Sequence, residues 1–366
     1  MISISLCMIV KNEEDVIGRC LESVKNVADE IIIVDTGSQD KTEEIARKYT
    51  KNIYHFAWID DFSAARNFSF SKATKDYILW LDADDVIEEK YQKMFLELKQ
   101  SLSPEVDIVM LPYHIAFDEE NNPTYSYYRE RLIRRQAHFH WAGAIHEAIV
   151  PIGNIVFEKP AISHKKLHPS DPDRNIRIFE KLLSQGKQLE PREQFYYARE
   201  LYYHKQYQKA IAVFEKFLKE GKGWQENNIS ACIDLCQCYK GLQQPKKALE
   251  ALFHSFLYDI PRGEACCEIG NIFLEQKQYQ KAIYWFETAV HQKPDMTSCG
   301  FFVLDHYDFI PYLQLCVCYS RMGDDKTAVK YHNLAKKCRP KNEIVLQNEQ
   351  YFKSKHLIES QYDSEE

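Results

Sequence analysis

Residues 77–85 read Tyr-Ile-Leu-Trp-Leu-Asp-Ala-Asp-Asp, an apolar run of five residues followed at once by three carboxylates. The length and apolar character of the run predict a buried β-strand over 77–81. Asp82, Asp84 and Asp85 then follow at the point where the chain leaves the sheet, and side chains two residues apart share a direction there. Carboxylate oxygens are the ligands that Mg²⁺ and Mn²⁺ prefer. The alternative to a cation site is a solvated acidic turn.

The chain before this run alternates short β-branched stretches with helical patterns. Such strand–helix alternation predicts right-handed crossovers and a largely parallel, Rossmann-like sheet. Ligands of these sheets gather at the carboxyl ends of the strands. The predicted strands cover 4–10, 30–35 and 52–56, and the predicted helices begin at about Glu13, at an Asp40–Glu43 capping box, and at Phe62.

The spacing at which apolar residues recur along the chain changes after about residue 195. Four alanines recur at intervals of 38, 34 and 46 residues, and the pattern Leu-Cys-x-Cys-Tyr occurs at both 235–239 and 315–319. These spacings are typical of tetratricopeptide-type helical hairpins, and we count four, with an insertion over 295–308. The predicted division is a catalytic domain over 1–170, a connecting helix over 171–192, helical repeats over 193–345 and an acidic-ended tail over 346–366. The four alanines are Ala210, Ala248, Ala282 and Ala328.

Composition and charge narrow the class of protein. With 45% hydrophobic and 28% charged residues, the chain of 366 residues can bury substantial cores. Its net charge of −7 argues against nucleic acid as the main partner, because phosphate binding needs a basic surface. Residues 1–170 contain 20 basic and 27 acidic residues, so the acidic surplus lies in the predicted α/β half.

The eleven cysteines lack the regular pairing of a secreted disulfide scaffold. We interpret them as reduced thiols, and the Cys-x-Cys pairs as packed thiols rather than metal ligands, because residues two apart on a helix point to different faces. No apolar run approaches the roughly 18 residues of a transmembrane helix. We therefore predict a cytoplasmic protein without a transmembrane segment, and leave peripheral contact with a membrane open.

Three further motifs accompany the aspartate run. Lys-Asn-Glu-Glu at 11–14 closes the first strand, Asp-Thr-Gly-Ser at 35–38 closes the second, and residues 58–67 precede the strand that leads to Asp82. In this order the set resembles the family 2 glycosyltransferases of the GT-A fold. Within them it is most similar to the group that joins the catalytic domain to tetratricopeptide-like helices, which includes the sublancin-type peptide S-glycosyltransferases.

That resemblance implies a site for a nucleotide sugar, with a UDP-sugar as the expected donor. Asp35 would recognise the uracil or ribose, Asp82 the ribose side of the nucleotide, and Arg66 the diphosphate oxygens, with Lys11 and Glu13 beside them. Each role is chemically sound, because carboxylates accept imide N–H groups and guanidinium groups pair with phosphate oxygens. The alternatives are a turn carboxylate at Asp35 and an ordinary ion pair at Arg66.

The resemblance also implies a metal site and a catalytic base. Asp84 and His164, with Asp82, would hold Mn²⁺ or Mg²⁺. Glu147, in the Gly-x-x-His-Glu segment at 143–147, would take the proton of the acceptor, and His146 would orient it or contact the acceptor. A structural hydrogen bond between His146 and Glu147 is the alternative.

We therefore predict an inverting, metal-dependent glycosyltransferase that acts on a peptide, protein or glycan acceptor. Repeat solenoids present surfaces suited to extended peptides and protein partners. The repeats would bind acceptor, partner or a second subunit in a homodimer. The alternative from another class is a non-catalytic binding scaffold with a vestigial nucleotide-binding domain.

Overall fold

The computed structural model of the protein describes residues 1–168 and 171–358. Its contacts divide the chain into two compact units: Met1–Ala116 with Ser126–Glu193, and Phe117–Tyr125 with the chain from Gln194 onward. The finer division predicted at residues 170, 192 and 345 stays a prediction. Residues 169–170 of the predicted catalytic domain and 359–366 of the predicted tail lie outside the described residues.

The first unit alternates strands and helices, as the sequence predicted. Its elements are β1 (Ile4–Val10), α1 (Ile17–Val24), β2 (Glu30–Asp35), α2 (Thr42–Ala46), β3 (Asn52–His55), α3 (Phe62–Phe70), β4 (Tyr77–Trp80), β5 (Asp85–Val86), α4 (Glu89–Ser101), β6 (Ile108–Phe117), β7 (Pro123–Arg134), β8 (Ile155–Phe157), β9 (Ile162–His164) and α5 (Arg174–Ser184).

The strands follow the order β3-β2-β1-β4-β7-β6-β9-β5, and β8 pairs with β6. The pairings among β3, β2, β1 and β4 are parallel, which is the arrangement predicted from the strand–helix alternation. Beyond β4 the sheet is mixed: β7 runs antiparallel to β4, and β5 antiparallel to β9, whereas β9 and β8 are parallel to β6. The predicted α/β fold class is confirmed.

The core of this unit lies between the parallel strands and the helices that cross over them. Leu6 and Met8 of β1 are fully buried, as are Ile17 and Leu21 of α1. Parallel strands are covered on both faces by crossover helices, so they consist of nearly continuous apolar residues. This arrangement fixes the carboxyl ends of the strands relative to one another.

Two helices of the first unit begin later than the sequence suggested. The first begins at Ile17 rather than at about Glu13, and the second begins at Thr42. The residues before both helices are used to join the two loops: the Glu13 backbone N–H donates to Oγ1 of Thr42 at 2.6 Å, and the Glu14 backbone N–H donates to Asp40 at 3.1 Å. Asp40 also accepts from the backbone N–H of Thr42 at 3.0 Å, so its carboxylate serves both the start of α2 and the neighbouring loop.

The second unit is built mainly from helices, with one short strand and the adjoining ends of β6 and β7. Its elements are α6 (Pro191–Tyr203, of which the residues from Gln194 belong here), α7 (Tyr207–Glu220), α8 (Gln225–Gly241), α9 (Pro245–His254), α10 (Gly263–Glu275), α11 (Tyr279–His291), β10 (Phe302–Val303), α12 (Phe309–Arg321), α13 (Asp325–Cys338) and α14 (Glu343–Ser354).

Successive helices of this unit pack against one another, as expected for helical repeats. The four recurring alanines lie on α7, α9, α11 and α13, and all four are fully buried. The predicted insertion separates α11 from α12. It is fixed by the buried Glu264, which accepts hydrogen bonds from the Val303 backbone N–H and the Tyr307 hydroxyl, both at 2.7 Å. The predicted all-α repeat class is confirmed.

All eleven cysteines are free thiols. Cys236 and Cys238 on α8 are buried, and so are Cys316 and Cys318 on α12. Burial raises the pKa of Cys236 and of Cys238 to about 12, which keeps these thiols protonated near neutral pH. In the part of the chain that the structure describes, no helix has the length and apolar character that a membrane span requires.

Candidate active site

The parallel strands of the first unit end side by side at one edge of the sheet. Val10 at the end of β1 pairs with Asp35 at the end of β2, and Cys7 of β1 pairs with Trp80 at the end of β4. The three loops that follow these strands therefore start close together. They carry most of the residues predicted for the nucleotide and the cation.

Asp35 is buried and holds the turn that follows β2. Its Oδ1 accepts hydrogen bonds from the backbone N–H groups of Gly37 and Ser38, both at 2.7 Å. Gly37 has a φ of 108°, a conformation that other residues rarely adopt. The second carboxylate oxygen, Oδ2, is also buried but has no hydrogen-bond partner in the structure. A buried acceptor without a partner is expensive, so this atom is suited to a ligand's N–H or hydroxyl group.

Lys11 and Glu13 follow β1 and differ in their surroundings. Lys11 is exposed, whereas Glu13 is partly buried. Burial, together with the charges of Asp84 and Asp82, raises the pKa of Glu13 to about 7. The structure thus brings Glu13 into the electrostatic field of the two aspartates and leaves Lys11 at the surface.

Arg66, on α3, lies at the centre of the site. Its buried guanidinium is 4.8 Å from the ring centre of Trp80 and 4.9 Å from that of Trp141. Its Nη2 donates to Oδ1 of Asp82 at 2.7 Å, and its Nε donates to Oε1 of Glu147 at 2.6 Å. One cation packed against two indoles therefore joins a residue predicted for the donor nucleotide to the residue predicted as the base.

The loop that carries the predicted base is held against α3 by hydrogen bonds to the main chain of the loop. The Asn67 side chain donates to the carbonyl of Trp141 at 3.0 Å and accepts from its N–H at 2.8 Å. The Phe62 N–H donates to the carbonyl of Ala144 at 2.9 Å. Gly143, with a φ of 98°, makes the turn between these contacts. The same helix therefore positions both the central arginine and the loop that faces it.

His146 and Glu147 have different partners. The His146 carbonyl accepts a hydrogen bond from Nε of Arg192 at 3.0 Å, and its ring Nε2 lies 3.5 Å from Nδ2 of Asn175. Glu147, whose side chain is 12% exposed, pairs with Arg66. The described contacts therefore fasten His146 to the segment after β9, and its proposed role toward Glu147 or the acceptor stays a prediction.

Asp84, Asp85 and His164 form a cluster in which one donor atom from each residue lies within 4.8 Å of the others. The antiparallel pairing of β5 and β9 creates it, because Asp85 is directly opposite His164. Among the described residues, these are the three side chains whose donor atoms lie close enough together to hold a cation. It contains the predicted ligands Asp84 and His164. The carboxylate of Asp82, also predicted as a ligand, is bound to Arg66 instead.

The chemistry of the cluster fits a divalent cation. His164 Nδ1 lies 3.3 Å from a carboxylate oxygen of Asp84 and 3.3 Å from one of Asp85. Burial alone would lower the pKa of His164, but hydrogen bonds to these two carboxylates outweigh it and raise the pKa to about 10. The imidazolium thus supplies the positive charge that the two carboxylates need. Two carboxylates and an imidazole are also a donor set that suits Mn²⁺.

Sequence reasoning missed two residues that complete this cluster, Arg131 and Tyr113. Arg131 is fully buried, and its guanidinium lies 3.7 Å from the Trp80 ring centre and 4.1 Å from that of Tyr113. Its Nη1 donates to Oδ2 of Asp85 at 3.0 Å. Burial alone would raise the pKa of Asp82, but Arg66 and then Arg131 lower it well below its usual range. The sequence offered one indication of a role for Arg131: it is a charged residue directly before the apolar residues 132–133 of a strand.

The fold and the site together define an open α/β domain with a carboxylate-rich site at the carboxyl ends of its strands, joined in one chain to a helical-repeat unit. Residues 5–153 match the family model described as Glycosyl transferase family 2. The first unit is therefore similar to the family 2 glycosyltransferases, which confirms the resemblance drawn from the motifs.

Three known proteins are similar in sequence to parts of this chain. A TPR repeat-containing protein of Synechococcus elongatus, Synpcc7942_0270, is 40% identical over 151 residues, 41% of this chain and 36% of the relative. The SPbeta prophage-derived glycosyltransferase SunS of Bacillus subtilis is 30% identical over 260 residues, 64% of this chain and 58% of SunS. The lipopolysaccharide core biosynthesis glycosyltransferase LpsC of Rhizobium meliloti is 26% identical over 159 residues, 42% of this chain and 58% of LpsC. The chain thus spans between about a third and three fifths of the length of these relatives.

Proposed function

We propose that the protein is an inverting, metal-dependent glycosyltransferase that transfers a sugar from a nucleotide sugar, UDP-linked, to a peptide, protein or glycan acceptor. The observation that carries the proposal is the position of Arg66. Its guanidinium binds both Asp82 and Glu147. The surrounding residues 5–153 match the family model of the family 2 glycosyltransferases.

The donor nucleotide would be recognised at the ends of β1, β2 and β4. Asp35 has one carboxylate oxygen committed to its own turn and a second, buried oxygen that can accept the imide N–H of uracil or a ribose hydroxyl. Asp82, which follows β4, would face the ribose side of the nucleotide, with Lys11 and Glu13 on the neighbouring loop beside it.

Asp84 and His164, with Asp82, would hold Mn²⁺ or Mg²⁺. A bound divalent cation supplies Lewis acidity that stabilises the negative charge developing on the leaving diphosphate. Asp82 would contribute after its carboxylate reorients from Arg66, whose guanidinium could then pair with diphosphate oxygens. Arg66 and the bound cation would thus balance the negative charge of the donor diphosphate.

Glu147 would act as the catalytic base. Inversion requires a base that takes the acceptor proton as the nucleophile attacks the anomeric carbon from the face opposite the leaving group. Arg66 Nε donates to Oε1 of Glu147 at 2.6 Å, so one carboxylate oxygen is held by the arginine. The same bond fixes the carboxylate relative to the donor side of the site. His146, on the same loop, would contact the acceptor.

The acceptor is proposed only as a class. LpsC is named for lipopolysaccharide core biosynthesis, which supports a glycan, whereas helical repeats commonly bind extended peptides. The predicted domain limits, a cytoplasmic location and a homodimer formed through the repeats stay predictions alongside it.

A binding screen of UDP-, GDP- and dTDP-sugars with Mn²⁺ or Mg²⁺ tests the proposal. Ligands that bind the native state raise the melting temperature in proportion to the logarithm of their concentration relative to Kd. We expect UDP-sugars with Mn²⁺ to give the largest shift, and Asp84→Ala to remove the metal-dependent part. Absence of a shift with every nucleotide and cation would contradict the proposal and favour the non-catalytic scaffold.

A further inference from the structure

We propose that Asn67 is a positioning residue for the catalytic base: its side-chain amide holds the main chain of the loop 141–148 and thereby sets where the Glu147 carboxylate lies. This inference rests on the proposed function, because it concerns the base of the same reaction. It is carried by hydrogen bonds that α3 makes to the main chain of this loop, and it depends on neither the nucleotide nor the cation.

The Asn67 amide binds both main-chain groups of Trp141. Its Nδ2 donates to the Trp141 carbonyl at 3.0 Å, and its Oδ1 accepts from the Trp141 N–H at 2.8 Å. A neighbouring antiparallel β-strand makes the same pair of bonds to the residue directly opposite. The contact needs a donor and an acceptor side by side, which an amide provides and an ionised carboxylate or an apolar side chain does not. Asn67 thus takes the place of a strand beside the loop.

The loop that begins at Trp141 is closed on itself. Ala142 and Ala148 exchange both main-chain hydrogen bonds, at 3.0 Å and 3.1 Å. Within the closed loop, Gly143 has a φ of 98°, which allows the chain to turn sharply. Glu147 directly precedes the closing residue Ala148. A shift of the main chain at Trp141 would therefore be transmitted through this bridge to the base.

The side chain of Trp141 is fixed in the same region as its main chain. Its buried ring lies edge to face with those of Trp80 and Phe70, at 4.9 Å and 5.9 Å between ring centres. Edge-to-face packing is a favourable arrangement of aromatic rings. Phe70 follows Asn67 by three residues on α3, and residues at that spacing are neighbours on a helix surface. One face of α3 therefore holds both the main chain and the ring of Trp141.

Asn67 and Arg66 hold different parts of the same loop. Arg66 binds the Glu147 carboxylate itself and also Asp82, and in the proposed reaction its guanidinium would pair with the donor diphosphate. The bonds of Asn67 go to main-chain groups and involve no ion pair, so they can persist while the arginine changes partner. Arg66 would orient the carboxylate before the donor binds, and Asn67 would keep it in place during transfer.

The experiment measures UDP release from UDP-glucose and from UDP-N-acetylglucosamine, with Mn²⁺, by the full chain. A displacement of about 1 Å can cost about 10²-fold in rate. We therefore expect Asn67→Ala to lower kcat about 10- to 100-fold and to leave the KM for the donor and the Kd for UDP unchanged. Asn154→Ala is the matched control, because the Asn154 amide also donates to a main-chain carbonyl, that of Glu105 before β6. It should keep the wild-type kcat.

A second comparison, in the Glu147→Gln background, separates positioning of the base from a general structural role. If Asn67 acts through Glu147, Asn67→Ala should slow the Glu147→Gln variant little further, because coupled residues are not additive. An equal loss of kcat in both backgrounds would overturn the inference, as would unchanged kcat in Asn67→Ala. Wild-type kcat in Glu147→Gln would instead overturn the proposed base, and the positioning role with it.

Amide hydrogen exchange gives a readout that needs no activity. Asn67→Ala should raise exchange over residues 141–148, since the Trp141 N–H loses its acceptor and the loop its attachment to α3. Unchanged exchange there would overturn the inference whatever the donor. Asn67→Asp, which keeps an acceptor for the Trp141 N–H but loses the donor to its carbonyl, provides the same kinetic comparison if Asn67→Ala folds poorly.

Discussion

Arg66 Nε donates to Oε1 of Glu147 at 2.6 Å, across 81 residues of sequence. The bond couples the two sides of the site, because the same guanidinium also binds Asp82. The aromatic rings of Trp80 and Trp141 pack against the guanidinium and restrict the conformations that the Arg66 side chain can adopt. The predicted base therefore has a defined position relative to Arg66 before any acceptor arrives.

Replacing Glu147 by Gln should strongly slow sugar transfer while preserving donor binding. The amide keeps the size of the side chain and its contact with Arg66, but it cannot take a proton. Removal of a general base typically costs about 10²- to 10⁴-fold in rate. The measurement is the transfer rate at saturating donor, beside the Kd for UDP. Transfer at the wild-type rate would show that another group accepts the proton.

Replacing Arg66 by Met should destabilise the first unit. Asp82 and Glu147 would lose their shared cation, and removal of one partner from a buried ion pair costs about 3 kcal/mol or more. Because the Asp82 side chain is 36% exposed, we expect the lower end of that range. The midpoint of urea unfolding checks this, with Arg177→Met as control, since the pair of Arg177 with Asp171 is at the surface. Equal midpoints for both variants would contradict the central role of Arg66.

Replacing Asp35 by Asn should weaken nucleotide binding. The substitution retains an oxygen for the Gly37 and Ser38 N–H groups but replaces the unpartnered acceptor by an N–H donor. A hydrogen bond to a charged group contributes about 1.5–3 kcal/mol, so we expect about a 10- to 100-fold rise in Kd for UDP by calorimetry. Asp29→Asn, just before the other end of β2, is the control. Unchanged Kd in Asp35→Asn would exclude this residue from the nucleotide site.

Glu13 should make the stability of the metal-free protein depend on pH. Its folded pKa of about 7 exceeds the ordinary value of 4.5, so the folded state binds more protons between these values. The stabilisation is complete below pH 4.5 and is lost as pH rises through about 7. Urea unfolding between pH 5 and 8 should therefore show a smaller decline in Glu13→Gln than in wild-type protein. Glu14→Gln, the neighbouring exposed carboxylate, should decline like wild type, and an unaltered decline in Glu13→Gln would refute the shift.

The sequence predicted those features that depend on local pattern. The bounds of β1 and β2 are the predicted ones, because a buried parallel strand is a continuous apolar run with polar residues at its end. The four buried alanines of the repeats followed from their spacing. The starts of α1 and α2 did not, since the residues before both helices also make hydrogen bonds between two loops that are distant in sequence.

The site was predictable only in part for the same reason. Asp84 and His164 were recognisable from motifs, yet their approach depends on the pairing of the two-residue strand β5 with β9, which no local pattern indicates. Arg131 and Tyr113 lie on long strands of the mixed half of the sheet, and their role appears only once the strands are paired. The binding of Asp82 to Arg66 is likewise a tertiary contact.

Mn²⁺-dependent release of UDP from a UDP-sugar tests the central claim most directly. Without acceptor, the wild-type protein should hydrolyse the donor slowly when Mn²⁺ is present and stop when the cation is chelated. Asp84→Ala should lose this activity, whereas Asp325→Ala, in the first turn of α13, should retain it. UDP release that is the same in Asp84→Ala as in wild type, or that does not depend on a divalent cation, would contradict the account.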